Sequence, residues 1–313
     1  MNNRFKKNSI ITRSYNDIAF EGDRVIKGVT RDRYLKEMEW FLEAKKRIPK
    51  NIPSIFTSIE NPIIRKNNEN LMYYEMQAID GNNLYQWSMD NRDKAEETFD
   101  KIISLTMIVH QEFVEVNHDD IIKMYYLKPK KAIENFIMEK KIDLDSLKIN
   151  GFLIQNPIVT LDKIFSEFRE RLFSTRYSFI HGDLTMSNIL VDQDNKLYLI
   201  DPRGVFGNTK RYGDVRYDVA KLFYSIVGNF DSLNNGRFRY EYNIEANDRL
   251  FSIDDNGFGS YGEKMLKLFK EEPEIIKYIH TTIWLSLIPH MSENDKQQLC
   301  AFCNGIFLLN LFR

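Results

Sequence analysis

The sequence predicts an α+β fold of two lobes, a small antiparallel-sheet lobe carrying one helix and a larger, mainly helical lobe. Short apolar and β-branched segments separated by turn residues dominate the chain up to residue 80, whereas apolar residues recur at helical spacing after Gly81. The 313 residues, 43% of them hydrophobic, are enough for two packed cores. We therefore expect a strand-rich N-terminal lobe with a connector over residues 1–80 and a helical lobe over residues 81–313.

The first lobe is predicted to contain short strands around one amphipathic helix. Between Arg31 and Arg47 an apolar repeat runs among charged residues, which is typical of a helix with one buried face. Pro53 marks the end of that helical region, because the residue before a proline avoids helical dihedral angles. The predicted strands are residues 9–13, 18–21 and 24–29, and a hairpin of residues 55–59 and 71–76 whose loop includes the polar run 65–70.

The second lobe is predicted to be helical apart from one strand pair near its middle and one strand at residues 237–244. The strand is indicated by the alternation FRYEYNI. The helices are indicated by apolar residues at i, i+3 and i+4. The predicted helices are residues 84–90, 94–115, 129–141, 161–173, 217–227, 262–271, 273–288 and 295–311.

Charge and apolar content exclude several classes of protein. The chain has 44 Lys and Arg against 45 Asp and Glu, so it lacks the basic excess typical of nucleic-acid binding. The N-terminal residues resemble no secretory signal, and no apolar run reaches the ~18 residues that span a bilayer. We expect a cytoplasmic protein with no nucleic-acid or membrane partner.

Cys300 and Cys303 form a CxxC that could be redox-active or half of a zinc site, but the apolar sequence around it favours buried structural thiols.

The most informative stretch runs from Phe179 to Gly204, FIHGDLTMSNILVDQDNKLYLIDPRG. Residues 189–191 and 196–200 are predicted to form two short strands across the turn 192–195, which brings Asp201 back towards Asn188. Asp183 precedes Asn188 by five residues, so two acids and an amide are expected in one small volume. Such hard oxygen ligands suit Mg²⁺. A polar hairpin whose acids only cap turns is the structural alternative.

These residues resemble the kinase catalytic loop, H-x-D-x-x-x-x-N followed by a metal-binding aspartate after a short hairpin. The H-G-D at residues 181–183, and I-D-P-R-G in place of D-F-G, are similar to the aminoglycoside phosphotransferase and choline kinase family, which has a protein-kinase-like fold. The resemblance implies that Asp183 is the catalytic base or orients the acceptor hydroxyl. It also implies that Asn188 and Asp201 bind Mg²⁺. His181 would then support the loop.

The resemblance further implies a lysine on a strand, held by a helical glutamate, that binds the nucleotide phosphates. Lys27 lies on the third predicted strand, and Glu37 occupies the position expected for its partner. Glu39 and Glu43 are alternative partners. The interpretation without a functional role is that these acids form a solvated, charged face of the helix. The nucleotide would be ATP or GTP. The resemblance also implies that residues 1–80 form the nucleotide-binding lobe and that residues 81–313 form the catalytic and acceptor lobe.

No glycine-rich loop precedes Lys27, and the resembled family often uses a turn bearing Ser or Asn there. Ser14, in the sequence SYND, could help to bind phosphate, although a plain turn fits as well. Residues 71–76 and the residues after them resemble the connector strand that contacts the nucleotide base. We expect the Glu75 carbonyl and the Gln77 amide to make those contacts.

The acceptor side carries weaker signals. The sequence YGDVRYDVAKL at residues 212–222 resembles a G-D-x-x-Y-D-x-A segment of the family, in which Asp218 would begin a helix and support the structure rather than catalyse. Arg203 could contact an anionic acceptor or a phosphate, or form a structural ion pair. Asp231, with nearby aromatics, could line an acceptor pocket or belong to the core.

The leading hypothesis is a kinase that transfers the γ-phosphoryl group of ATP or GTP to a hydroxyl of a small molecule, such as a sugar, an amino alcohol or an aminoglycoside. Residues 200–231 resemble kinases of bacterial cell-surface sugar or amino-alcohol metabolism. A protein kinase is the alternative, which the lack of D-F-G, A-P-E and a long activation segment disfavours. The third hypothesis, a nucleotide-binding pseudokinase, would usually show loss of the base or metal ligands. The sequence indicates no particular oligomeric state.

Overall fold

The structure is a computed structural model that describes residues 17–56, 64–66, 69–291 and 293–312. The chain divides into two compact units. The first unit comprises the chain up to Glu112 together with Phe179–Val205 and Lys210–Tyr212, and the second unit comprises Phe113–Ser178, 206–209 and Gly213–Arg313. The lobe boundary near residue 80 remains a prediction.

The strands are short and most of them pair antiparallel. In chain order they are β1 (Asp17–Glu21), β2 (Arg24–Thr30), β3 (Ile64–Lys66), β4 (Glu69–Gln77), β5 (Gly81–Asn83), β6 (Phe113–Val114), β7 (Lys148–Ile149), β8 (Phe152–Leu153), β9 (Tyr177–Phe179), β10 (Ile189–Asp192), β11 (Leu197–Leu199), β12 (Val205–Phe206), β13 (Thr209–Lys210), β14 (Tyr212–Asp214), β15 (Phe238–Asn243) and β16 (Asp248–Ile253).

The helices lie mainly in the second unit, as the sequence predicts. They are α1 (Arg31–Arg47), α2 (Leu84–Asp90), α3 (Arg92–Val109), α4 (His118–Ile122), α5 (Lys128–Lys140), α6 (Pro157–Phe173), α7 (Val215–Ile226), α8 (Phe230–Asn234), α9 (Gly262–Phe269), α10 (Pro273–Leu287) and α11 (Asp295–Asn310). A π-helical turn, Lys123–Leu127, joins α4 to α5, and 3-10 turns occur at Met186–Asn188, Gly259–Tyr261 and Ile288–Met291. In the described part of the chain, no helix has both the length and the apolar content needed to span a membrane.

A four-stranded antiparallel sheet in the order β1-β2-β4-β3 forms the centre of the first unit. Lys27 on β2 pairs with Ile18 of β1 on one side and with Tyr74 of β4 on the other. Helix α1 packs on this sheet through a face that buries Tyr34, Glu37, Trp40, Phe41 and Ala44, which recur at helical spacing. An acid on that apolar face is unusual, because an unpaired buried carboxylate is costly.

A second sheet of the first unit, in the order β11-β10-β5, carries the predicted catalytic segment. Strands β10 and β11 form the expected antiparallel hairpin, with Ile189 opposite Leu199. Its turn is closed by the Asp192 side chain, which accepts from the amides of Asp194 and Lys196 at 2.9 Å. The hairpin therefore returns the chain as the sequence predicts.

Several predicted boundaries are wrong in ways that the structure explains. Part of the predicted loop 65–70 is strand, because β3 pairs with the start of β4. Ile55 of the predicted strand 55–59 does pair with Met76 of β4, and residues 57–59 lie outside the described residues. Helix α6 begins four residues earlier than predicted, because Asn156 caps it by accepting from the amides of Ile158 and Val159. Helix α3 ends at Val109, and the following β-prone residues form β6.

The start of α7 also differs from the prediction. Asp218 was expected to cap this helix, but Asp214 is the cap, and its side chain accepts from the amide of Arg216 at 2.9 Å. Asp218 lies in the first turn and is fully buried. The sequence YGDVRYD offers two acids four residues apart, and the cap falls on the first.

Helix α11 buries Cys300 and Cys303, neither of which is in a disulfide, in agreement with the prediction of structural thiols. Burial raises the pKa of the Cys300 thiol to about 12, which makes the reactive thiolate rare at neutral pH.

Candidate active site

Lys27 and Glu37 form a buried ion pair between β2 and α1. Nζ of Lys27 lies 3.0 and 2.9 Å from the two carboxylate oxygens of Glu37, and the two side chains are 4% and 0% exposed. The hydroxyl of Tyr74, on the neighbouring strand β4, donates to Oε2 of Glu37 at 2.5 Å. Burial, followed by the nearby Glu37 charge, raises the pKa of Tyr74 well above its usual value, so this hydroxyl keeps its proton. The predicted pair is therefore in contact, and Glu39 and Glu43 have other partners.

Arg33, which the sequence reasoning missed, is the second cation of this cluster. Its Nε donates to Oε1 of Glu37 at 2.6 Å, and its Nη2 donates to Oδ1 of Asp201 at 2.7 Å. Arg33 precedes Glu37 by one helical turn, and a charge pair at this spacing on a predicted helix was a readable signal.

Asp201 follows the β10–β11 hairpin and contacts both cations, Lys27 and Arg33. Its Oδ1 accepts from Lys27 as well as from Arg33. Burial alone would raise the pKa of this carboxyl, but the charges of Lys27 and Arg33 outweigh that effect and hold the pKa below its ordinary value. The backbone φ of Asp201 is +59°, in the left-handed region that residues other than glycine rarely adopt. An ionised carboxylate is thus held in a strained position, which is typical of functional sites.

The catalytic loop of the predicted motif is closed by its own polar groups. Nδ2 of Asn188 donates to the backbone oxygen of Asp183 at 2.8 Å and to its Oδ2 at 3.3 Å. The amide of Ile200 donates to the backbone oxygen of Asn188 at 3.0 Å. The loop residues Asp183 and Asn188 are therefore tied to each other and, through Ile200, to the segment that joins β11 to Asp201.

His181 is buried and links the loop to the same segment between β11 and Asp201. Nε2 lies 2.9 Å from the carbonyl oxygen of Ile200, and Nδ1 lies 3.3 Å from the backbone amide of Asp183. A carbonyl only accepts and an amide only donates, so the ring carries its proton on Nε2. The amide of Arg203 also donates to the His181 carbonyl, at 2.9 Å. This geometry suits a residue that positions the loop, as the resemblance implies.

The two predicted nucleotide-base contacts differ in how they fit the backbone geometry. The Gln77 amide donates to the oxygen of Ser54 at 2.8 Å, and because it has a single hydrogen, it has none left for a base. The Glu75 carbonyl accepts from the amide of Phe56 at 2.9 Å, but a carbonyl oxygen has a second lone pair, so its contact with a base stays a prediction. The Glu75 side chain pairs with Arg24 at 2.6 Å. Ser14 lies outside the described residues.

The residues predicted on the acceptor side belong to different units. Arg203 lies beside the loop in the first unit, whereas Asp231 belongs to the second unit. The Asp231 carboxylate is fully buried and accepts from the hydroxyl of Ser225, so direct contact with an acceptor would require its surroundings to open. Asp120, one of the acids near His118, accepts from the amide of Asn208 at 2.6 Å and thus fixes a turn of the second unit.

A sequence model described as the phosphotransferase enzyme family matches residues 28–250, well over half of the chain. The chain belongs to this family. Membership confirms the family and the phosphotransferase activity predicted from the sequence. No curated protein sequence is detectably similar to the chain.

Solved structures share the fold of this phosphotransferase at low sequence identity. The GDP and kanamycin complex of APH(2")-IIia has a TM-score of 0.56 at 14% identity, covering 96% of this chain and 90% of that one. Choline kinase LicA from Streptococcus pneumoniae has a TM-score of 0.53 at 14% identity, covering 95% and 90%. A thermostable mutant of aminoglycoside phosphotransferase APH(4)-Ia has a TM-score of 0.54 at 11% identity, covering 95% and 94%. These similarities confirm the predicted kinase-like α+β fold.

The site of this phosphotransferase has ligand atoms that suit Mg²⁺. Asp201 offers carboxylate oxygens, and Asn188, whose Nδ2 faces Asp183, offers its amide oxygen. Among the described residues, no three His, Cys, Asp or Glu side chains form a group that could hold a metal ion. The remaining ligands of a magnesium ion would therefore be phosphate oxygens and water, which is usual for Mg²⁺ bound with a nucleotide.

Proposed function

We propose that this phosphotransferase is a small-molecule kinase that transfers the γ-phosphoryl group of ATP or GTP to a hydroxyl of its acceptor. The observation that carries the proposal is the contact of Asp201 with Lys27 while Glu37 holds the same lysine. This contact supports the proposal, because phosphoryl transfer requires a metal-binding acid close to a phosphate-binding cation. Both belong to the same compact unit as the catalytic loop.

Each side chain then has a defined task. The carboxylate of Asp183 accepts a hydrogen bond from the acceptor hydroxyl and takes its proton as the phosphoryl group is transferred. Lys27 neutralises phosphate oxygens, and Glu37 keeps the ammonium group in place. Asn188 and Asp201 would hold Mg²⁺, which supplies charge neutralisation at the phosphates. Most of the contribution of the protein is therefore positioning and electrostatics.

The acceptor class follows from the family and from the nature of its structural neighbours. Those neighbours include a choline kinase and a kanamycin complex, whose small molecules carry hydroxyl groups beside positive charge. We propose an amino alcohol, a sugar or an aminoglycoside as the acceptor, and a role in the synthesis of cell-surface polysaccharide precursors as the context.

The test is an ADP- or GDP-release screen over choline, ethanolamine, simple sugars, glycerol and aminoglycosides. We expect at least one of them to be phosphorylated by the wild-type protein. Asp183→Asn should lower turnover by about 10²-fold or more while nucleotide affinity is kept, because it removes the base and leaves Lys27 and Asp201 intact.

Other outcomes separate the proposal from its alternatives. Phosphorylation of protein substrates alone would favour a protein kinase. Nucleotide binding without turnover of any acceptor would favour a pseudokinase. Undiminished turnover in Asp183→Asn would remove the assigned base and with it the proposed mechanism.

A further inference from the structure

Arg33 occupies a position in the site that the chemistry described so far does not use. Its guanidinium spans the two acids of the cluster, with Nε on Glu37 at 2.6 Å and Nη2 on Asp201 at 2.7 Å. The Arg33 side chain is 30% exposed, whereas Lys27 is 4% exposed. Arg33 is thus the cation of the cluster with the greater access to solvent.

Among the described residues, the ion pairs of this cluster join two cations, Lys27 and Arg33, to two carboxylates, Glu37 and Asp201, so these charges balance without a nucleotide. A triphosphate with one bound Mg²⁺ adds net negative charge, and Asp201 can no longer serve as the main acceptor for both cations once it binds the metal. The donors released from Asp201 are then available to phosphate oxygens, while Glu37 keeps its contacts with Lys27 and Arg33.

We propose that Arg33 is a second phosphate-binding residue of the nucleotide site. This inference rests on the proposed function. The Nε bond to Glu37 keeps the guanidinium in place while Nη2 exchanges the Asp201 carboxylate for a phosphate oxygen. A guanidinium suits this exchange because its fork of donors accommodates carboxylate and phosphate oxygens alike. Glu37 therefore positions two cations, one from the strand and one from its own helix.

The proposal requires a nucleotide contact that depends on the phosphates and not on the base. The experiment measures the affinity of ATP and of adenosine by calorimetry with Mg²⁺ present, because the proposed exchange follows when Asp201 binds the metal. The proteins are wild type, Arg33→Met, Arg33→Gln and Arg31→Met. Arg31→Met is the matched control, because it removes the same charge from an exposed position on the same helix.

We expect Arg33→Met and Arg33→Gln to weaken ATP binding about 10-fold or more, as for loss of a charge-assisted hydrogen bond, with adenosine affinity unchanged. Arg31→Met should leave both affinities near those of wild type. An equal loss of ATP and adenosine affinity in the Arg33 variants would overturn the proposal in favour of a structural role. Unchanged or tighter ATP binding would also overturn the proposal, because it would show that the Arg33 guanidinium pairs with Asp201 and makes no contact with the phosphates.

The same measurements separate this inference from the proposed function. If wild type binds ATP with help from Arg33 but phosphorylates no acceptor, the inference stands and the kinase proposal fails. If acceptors are phosphorylated while the Arg33 variants bind ATP as wild type does, only the inference fails. If wild type binds neither ATP nor GTP, both fail.

Discussion

Nε2 of His181 lies 2.9 Å from the carbonyl oxygen of Ile200, the residue that immediately precedes Asp201. On its other side, the ring accepts from the amide of Asp183. One neutral imidazole thus sets the spacing between the proposed base and the proposed metal ligand. Both bonds require the proton on Nε2, so the hydrogen bonds of the ring fix its tautomer.

Replacing His181 should impair turnover more than nucleotide binding. His181→Leu removes both ring bonds, and the resulting shift of Asp183 relative to Asp201 should lower kcat by about 10- to 100-fold, because small errors of position are costly in group transfer. The KM for nucleotide should change little, since Lys27 and Glu37 are untouched. Steady-state kinetics with the best acceptor checks this.

His181→Gln is the matched variant, because its amide can still donate to the Ile200 carbonyl. It should keep more of the wild-type kcat than His181→Leu does. Equal losses in both variants, or a KM effect that exceeds the kcat effect, would contradict a positioning role.

Glu37 should contribute more to stability than any of its partners. Glu37→Gln leaves Lys27 buried with fewer compensating charges, and breaking a buried pair in this way costs about 3–5 kcal/mol. Tyr74→Phe, which removes one donor to the same carboxylate, should cost about 1 kcal/mol. Urea unfolding followed by circular dichroism measures both, and similar losses in the two variants would show that Glu37 does not hold the cluster together.

Local signals predicted much of the fold and of the candidate site. The bounds of α1 and α2 match the predicted ones. An apolar stripe among charges defines α1 strongly, and Asn83 caps the start of α2 by accepting from the amide of Gln86. The hairpin that delivers Asp201 was predicted for a similar reason, since turn residues separate two apolar strands. The Lys27–Glu37 contact came from the resemblance alone, because an ion pair between a strand and a helix leaves no periodic pattern.

The remaining site features depend on neighbours that lie far apart in the sequence. Arg33 was missed because its second partner, Asp201, is 168 positions away. The bond of the Gln77 amide to Ser54 was not foreseen, because backbone pairing depends on register, which single residues do not reveal.

Gly204, in the sequence DPRG, should tolerate no side chain. Its φ is +63°, and a Cβ there would lie 2.8 Å from the backbone oxygen of Lys36 on α1. Gly204→Ala should therefore lower the free energy of unfolding by more than the ~1 kcal/mol of a left-handed alanine, because backbone must also move. Gly22→Ala is the control, since Gly22 has a similar φ of +61° with nothing within 4 Å. Equal losses in urea unfolding would show that the contact with α1 is immaterial.

His280 should make the protein less stable in acid. Its ring is buried among Phe223, Tyr224 and Trp284, Nε2 accepts from Nε1 of Trp284 at 2.9 Å, and burial lowers the pKa from 6.5 to about 3. Below pH 6.5 the unfolded chain binds a proton at His280, whereas the folded chain does not bind it until about pH 3. The contribution of the neutral ring to the free energy of unfolding is therefore complete above pH 6.5 and falls by about 1.4 kcal/mol per pH unit between these two values.

His280→Gln is the variant that tests this, because its side chain keeps an acceptor for Trp284 but cannot titrate. The difference in unfolding free energy between wild type and His280→Gln should therefore shift against wild type as the pH falls, and parallel stability curves would contradict a buried neutral histidine.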